Sequence, residues 1–211
     1  MSLLTFFLRH QREIWQGVIE HMWLAGATMA LAMAIGVPLG IVVARWPWLG
    51  KPILGGANIA ETIPSLALFG FLLPIPWLGA RADRLAITAL TLYALLPIIR
   101  NTAAGIAGVD RAVREAAVAM GMTKRQILFQ VELPLAMPTL LAGVKVATVL
   151  TIGIATIAAA VGAGGLGEFI FRGLAMVNDQ LILAGAIPAA ALAIGADLLI
   201  GMAERRLRPA R

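Results

Sequence analysis

Hydrophobic residues run along this chain in long blocks separated by short polar stretches. At 1.5 Å of rise per helical residue, ~20 residues cross the ~30 Å hydrocarbon core of a bilayer. Five blocks are that long, at about residues 18–44, 53–75, 85–109, 138–161 and 181–203. Ahead of Gly17, the apolar Leu3, Leu4, Phe6 and Phe7 give way to Arg9, His10, Arg12 and Glu13, then to Ile14 and Trp15. That pattern predicts a short interfacial helix. The expected fold class is an all-α membrane protein of about five transmembrane helices, with residues 1–211 as a single transmembrane domain. No internal repeat or low-complexity linker is visible.

Prolines interrupt several blocks. Pro38 lies between Gly36 and Gly40, and Pro188 lies in the last block. Pro64 falls in Glu61-Thr62-Ile63-Pro64-Ser65, and Pro97 precedes Ile98-Ile99-Arg100-Asn101-Thr102. Proline removes a backbone hydrogen bond and clashes with the preceding turn. In a membrane this is tolerated where protein or a water-filled cavity satisfies the freed groups. Pro38 and Pro188 read as ordinary kinks. At Pro64 and Pro97 the polar neighbours leave two readings open, a kink or the lining of a pathway. The pathway candidates are Glu61, Thr62, Pro64, Ser65, Asn101 and Thr102.

Composition agrees with the spans. Of 211 residues 60% are hydrophobic and 13% charged, with a mean hydropathy of +0.89. Soluble domains run nearer one quarter charged, so lipid is the natural solvent here. The absence of cysteine excludes disulfides, thiol catalysis and thiolate metal sites. A net charge of +6 suggests nucleic acid in a soluble protein. Here the basic residues, apart from Arg100 and Lys145, sit between the blocks and near the two ends of the chain, and none form a patch interleaved with exposed aromatics, so no nucleic-acid partner is expected.

The Lys/Arg distribution sets the orientation. One side receives Arg45, Lys51, Arg111, Arg114, Lys124, Arg125, Arg205, Arg206, Arg208 and Arg211; the other receives Arg9, Arg12, Arg81, Arg84 and Arg172. The richer side is expected to be cytoplasmic, with the N-terminus outside and the C-terminus inside. The N-terminus does not read as a cleaved signal peptide, because its charges precede any long apolar run and that run is too long for a signal segment.

On the cytoplasmic side, residues 110–135 form a polar island. Asp110 can cap a helix beginning at Arg111. Ala112, Ala116, Ala117 and Ala119 are strong helix formers with tiny side chains. Gly121 is suited to a positive-φ end, Thr123 with Gln126 makes a capping box, and Pro134 is expected to end the second helix. The predicted unit is helix, glycine turn, helix, lying on the membrane surface. An alanine-faced helix can sit deep in a groove of another protein, with Glu115 reaching its own helix N-terminus or a basic group on that partner. A solvated hairpin is the other reading.

The residues Glu115-Ala116-Ala117, three more, Gly121, nine more, Val131, one more and Leu133-Pro134 resemble the "EAA" loop of binding-protein-dependent ABC importer permeases. Only Val131 departs from that pattern, which has Ile there. The resemblance implies that Glu115, Ala116, Ala117, Gly121, Leu133 and Pro134 belong to a coupling loop that docks on an ABC ATPase subunit. The chain has no Gly-x-x-x-x-Gly-Lys-[Ser/Thr], so it carries no cofactor of its own and ATP would be bound by that partner. The stretches at 62–68, 92–102 and 157–173 look like permeases for glycine betaine, choline, carnitine and related quaternary amines, although the glycine-rich part also looks like methionine-type permeases. The family implies a type I importer architecture like that of the methionine permeases, and a second permease subunit making a homodimer or heterodimer. It also implies an extracytoplasmic substrate-binding protein and a cell (inner) membrane location. Another small solute such as methionine stays open. A secondary transporter fits less well, since five spans without a repeat argue against it.

Gly162, Gly164 and Gly167 satisfy Gly-x-Gly-x-x-Gly, but no strand precedes them and no acidic residue follows about 20 positions on, so a dinucleotide site is rejected. With Gly165 they are expected to form a tight external turn that lets a partner's backbone come close. Glu61, Arg100, Lys145 and Asp197 lie within or at the ends of spans, either as functional groups or as internal pairs such as Glu61 with Arg100 or Lys145. His10, His21, Ser2 and Ser65 do not assemble with a carboxylate or metal set, so no catalytic residue and no metal are expected. Binding a quaternary ammonium takes an aromatic cage. Trp15, Trp23, Trp46 and Trp48 read instead as interfacial belts, and the family places the cage on the separate binding protein. With the last predicted span ending eight residues before Arg211, no fused binding domain is expected.

Overall fold

In hydrocarbon every backbone polar group must be satisfied within its own segment, and the apolar blocks accordingly fold as helices. The computed structural model describes residues 3–207; Ser2, Arg208 and Arg211 lie outside them. In chain order the helices are α1 (Leu3–Arg9), α2 (Gln11–Arg45), α3 (Pro47–Thr62), α4 (Ser65–Leu72), α5 (Pro76–Gly79) and α6 (Ala82–Ala107). There follow α7 (Arg111–Ala119), α8 (Lys124–Gln126), a π turn (Ile127–Glu132), α9 (Leu133–Ala158), a 3₁₀ turn (Ala159–Val161), α10 (Gly167–Met176) and α11 (Asp179–Leu207). Four helical runs are long and apolar enough to cross a membrane: Gln11–Arg45, Ala82–Ala107, Lys124–Val161 and Asp179–Leu207. The pair α3–α4 makes a fifth only if a bend of 102° is counted within one span.

Three boundaries differ from the sequence reading. The interfacial helix ends at Arg9, and residues 11–16 belong to the first span, because the chain is helical again directly after His10, whose carbonyl accepts from Ile14 N at 2.9 Å. The second block is broken rather than straight. Ile63 is extended (φ −69°, ψ 129°), the conformation that the residue before a proline prefers. The Tyr93 hydroxyl donates to the Ile63 carbonyl that the break leaves free. A polar group left unpaired costs about 1–3 kcal/mol when fully buried and less at this half-buried site, so Tyr93 stabilises the bend by pairing it.

The third correction concerns Pro134. It does not end a helix but lies in the first turn of α9, inside the continuous run from Lys124 to Val161. The wide π turn just before it shifts the hydrogen-bond ladder, and the first turn of a helix tolerates a residue without N–H.

The central helix is α6, packed on one side against α2 and on the other against α9, which in turn carries α11. Helices in lipid gain little from hydrophobic exclusion and associate by close packing at small residues. A Cβ on Gly40 of α2 would lie 2.5 Å from Thr102 Cβ on α6, and one on Gly143 of α9 would lie 2.5 Å from Asn101 Cβ. The core includes Leu24, Phe69, Leu85, Ala89, Tyr93 and Ala158.

Candidate functional site

The segment between α6 and α9 is assembled from local hydrogen-bonding rules. Asp110 Oδ1 accepts from Ala112 N at 2.9 Å, which starts α7. Gly121, at φ +78°, stops it: Met122 N reaches back to Ala117 O at 3.1 Å and Gly121 N to Val118 O at 2.9 Å. Thr123 and Gln126 then form a reciprocal capping box. The buried face of α7 is Ala117, 1% exposed. Ala112, Glu115, Ala116 and Ala119 are exposed, next to Val118 at 62% and Met120 at 74%. Small and apolar side chains are thus grouped on the exposed side of a polar segment. Among the described residues Glu115 pairs with Arg111, 2.7 Å away and almost fully in solvent. A pair of that kind contributes little and is readily exchanged for a partner's cation.

Beneath α7 lies a charge cluster. Glu132, at the end of the π turn, has a side chain 2% exposed. Its Oε2 takes a hydrogen bond from Arg45, the last residue of α2. Its Oε1 lies 3.1 Å from Nε of Arg114 on α7, as a charge contact without hydrogen-bond geometry at that nitrogen. Arg114 also donates to the Ile106 carbonyl in the last turn of α6, where a cation complements the helix dipole. Glu132 and Arg114 together therefore join the ends of α2 and α6 and the start of α9 to α7.

At the opposite end of α9, Gly162, Gly164 and Gly165 all have φ of +80°. Gly165 N donates to Glu20 Oε2 at 3.1 Å, and Gln16 holds the other Glu20 oxygen at 3.0 Å. A Cβ on Gly165 would lie 3.2 Å from His21 Nδ1, and one on Gly167 would lie 1.9 Å from Thr156 O. The room left by Gly164 and Gly165 is filled by α2 and that at Gly167 by the end of α9, while a Cβ on Gly162 would meet only Ala82 at 3.9 Å. His21, fully buried, spends Nε2 on Ile152 O at 3.0 Å, and His10 Nδ1 lies 3.0 Å from Phe6 O. Among the described residues no three His, Asp or Glu side chains gather as a metal site.

Residues 36–209 match the family described as "Binding-protein-dependent transport system inner membrane component". This chain belongs to that family. It is a permease, a membrane subunit of an ABC importer, and not an enzyme. Among its relatives are the choline transport system permease protein OpuBD of Bacillus subtilis, 42% identical over all of this chain and 92% of that protein. The osmoprotectant import permease protein OsmW of Salmonella typhimurium is 41% identical over 99% of this chain and 98% of its own length. The carnitine transport permease protein OpuCB of Listeria monocytogenes is 38% identical over 99% and 94%. In fold the permease is similar to a chain of the inward-facing MetNI methionine ABC transporter, with a TM-score of 0.84 at 23% identity over 99% of this chain and 100% of that one. Its architecture is that of the type I importer permeases.

Within the permease, the candidate pathway residues separate into two groups. Glu61, Thr62, Pro64 and Ser65 lie at the break between α3 and α4, where Thr62 and Pro64 are exposed and Glu61 and Ser65 half-buried. Asn101 and Thr102 sit in helix interfaces: Asn101 against Gly143, with Nδ2 donating to Pro97 O at 2.8 Å, and Thr102, fully buried, against Gly40. Leu133 and Pro134 open α9 rather than face α7's exposed side. Of the four charges in spans, Lys145 pairs with Asp197 at 3.3 Å, while Glu61 and Arg100 have no ion pair among the described residues. Glu132 carried no role in the sequence reading. The only signal for it is one carboxylate in the stretch from Ile127 to Leu135, whose one other polar residue is Gln130, with Arg45 to match it far off in sequence.

Proposed function

We propose that this permease forms half of the pore of an importer for a quaternary-amine osmoprotectant such as glycine betaine, choline or carnitine. The observation that carries the proposal is identity of about two residues in five, end to end, with relatives named for choline, osmoprotectant and carnitine transport: 42%, 41% and 38%. The chain acts as one transmembrane unit. Its N-terminus lies outside and its C-terminus and α7 in the cytosol, in keeping with the Lys/Arg bias. The exposed side of α7, with Glu115, Ala116 and the Gly121 turn, docks on a separate ATPase subunit that binds the ATP, and Ala117 supports α7 from beneath. An extracytoplasmic binding protein delivers the solute and supplies its aromatic cage.

A second permease subunit, identical or related, completes the pore. The broken span contributes Glu61, Thr62, Pro64 and Ser65 to it, since polar side chains beside a disrupted helix require an aqueous or protein neighbour. Such an importer serves cells under osmotic stress.

The test is uptake by cells lacking other osmoprotectant importers and expressing this permease with its ATPase and binding protein. Labelled choline, carnitine or glycine betaine is expected to enter, and to restore growth at high osmolarity. Uptake of methionine with none of these amines entering would reject the substrate assignment.

A further inference from the structure

Glu132 is at the x position between Val131 and Leu133-Pro134, outside the residues assigned to docking, and it is the most buried carboxylate among the described residues. We propose that Glu132 is the positioning residue through which movement of α7 reaches the membrane spans, an inference that rests on α7 being the ATPase dock. Each contact of the cluster joins a different element. Arg114 belongs to α7 and grips both Glu132 and the last turn of α6. Arg45 ends α2 and grips the other Glu132 oxygen. Glu132 itself closes the π turn that leads into α9.

The arrangement differs from simple packing in two respects. First, one carboxylate faces two guanidinium groups whose side chains are 32% and 33% exposed. The outer edges of the cluster are wet while its centre is dry, and a dry charge must follow its partners, because leaving it alone in the interior is costly. Second, Arg114 lies 3.1 Å from one carboxylate oxygen while its guanidinium donates to the Ile106 carbonyl, so a tilt of α7 that carries Arg114 disturbs the buried charge and the end of α6 together. The π turn supplies the compliance. Such turns are irregular insertions in an α-helix and recur at functional sites, and here the turn separates the short α8 from the long α9. A push on α7 is thereby delivered to α2, α6 and α9 at one point, instead of being absorbed in the loop.

The experiment uses the full complex, permease with ATPase and binding protein, in proteoliposomes. Radiolabelled choline is the probe, and choline imported per ATP hydrolysed is the readout. Glu132→Gln keeps the shape of the side chain and removes its charge. Arg45→Gln removes a partner that belongs to α2, not to α7 or its exposed face. Both variants are expected to retain the ATPase on purification and to hydrolyse ATP, while choline imported per ATP falls about tenfold, within the ~5–150-fold range of typical coupling between sites.

The double variant is expected to be no worse than Glu132→Gln alone, as for two residues acting in one step, and Glu132→Asp should recover part of the loss. Arg45→Gln with wild-type import per ATP would overturn the proposal, even if Glu132→Gln proved too unstable to purify. Equal loss in Glu132→Asp and Glu132→Gln, or strictly additive effects in the double variant, would also overturn it and leave the cluster a structural clamp. The two readings fail differently: if α7 were not the dock, a permease with an altered α7 surface and an intact Glu132 would lose none of its ATPase.

Discussion

Replacing Gly121 by valine is expected to cut uptake about tenfold while the permease reaches the membrane in near-normal amounts. A Cβ at Gly121 meets nothing within 4 Å, so the substitution meets no steric obstacle. What it violates is the backbone. Gly121 sits at φ +78°, where a β-branched residue is strained by ~1–3 kcal/mol. Relief of that strain would undo the hydrogen bonds from Met122 N to Ala117 O and from Gly121 N to Val118 O, which are what end α7 and aim it. The spans are held by helix packing in lipid and do not feel this change.

The measurement is recovery of the ATPase with purified permease, alongside uptake. Gly121→Asn should retain most of both, since asparagine tolerates the left-handed region better than valine. Full uptake and full ATPase recovery by Gly121→Val would show the segment to be an ordinary connector.

A larger effect on the permease itself is expected at Gly167. Its added Cβ would lie 1.9 Å from Thr156 O, 2.7 Å from Thr156 C and 2.8 Å from Ala159 Cβ. Two of these are backbone atoms and no flexible side chain can give way, so either the end of α9 or the start of α10 must move. Gly167→Ala should cost about 3 kcal/mol, the upper end of ordinary overpacking. That is enough to lower the detergent-solubilised melting temperature by several degrees and the membrane level several-fold. Gly26→Ala in α2 is the control, because a Cβ there meets nothing within 4 Å. Equal stability of the two variants would mean that α10 does not press on α9 as described.

The parts of the molecule that were legible in sequence are those governed by short-range rules. Asp110 before the alanines, Gly121 after them and Thr123 three residues ahead of Gln126 each specify a hydrogen bond within four residues, and each forms. Long apolar runs became spans because lipid leaves a backbone little choice. The break at Ile63–Pro64 was only half legible. A proline announces an interruption, but a bend of 102° also needs something to satisfy the freed carbonyl, and Tyr93 lies 30 residues along the chain. Pro134 was misread because a proline just inside a helix start and one just past a helix end look alike in sequence, and the π turn that decides between them has no local signature. The short α10 was not anticipated, since its ten residues are too few to read as a span. Glu132 was illegible: its partner Arg45 is 87 residues away and only the fold brings them together.

A subunit that forms a pore and takes its energy from another chain can be tested by omission. The purified permease is reconstituted alone, with the ATPase, and with the ATPase and the binding protein, and both ATP turnover and choline entry are followed in each case. ATP turnover is expected only when the ATPase is present, and choline entry only when all three components and ATP are supplied. ATP hydrolysis by the permease alone, or choline accumulation driven by an ion gradient without the ATPase, would contradict it.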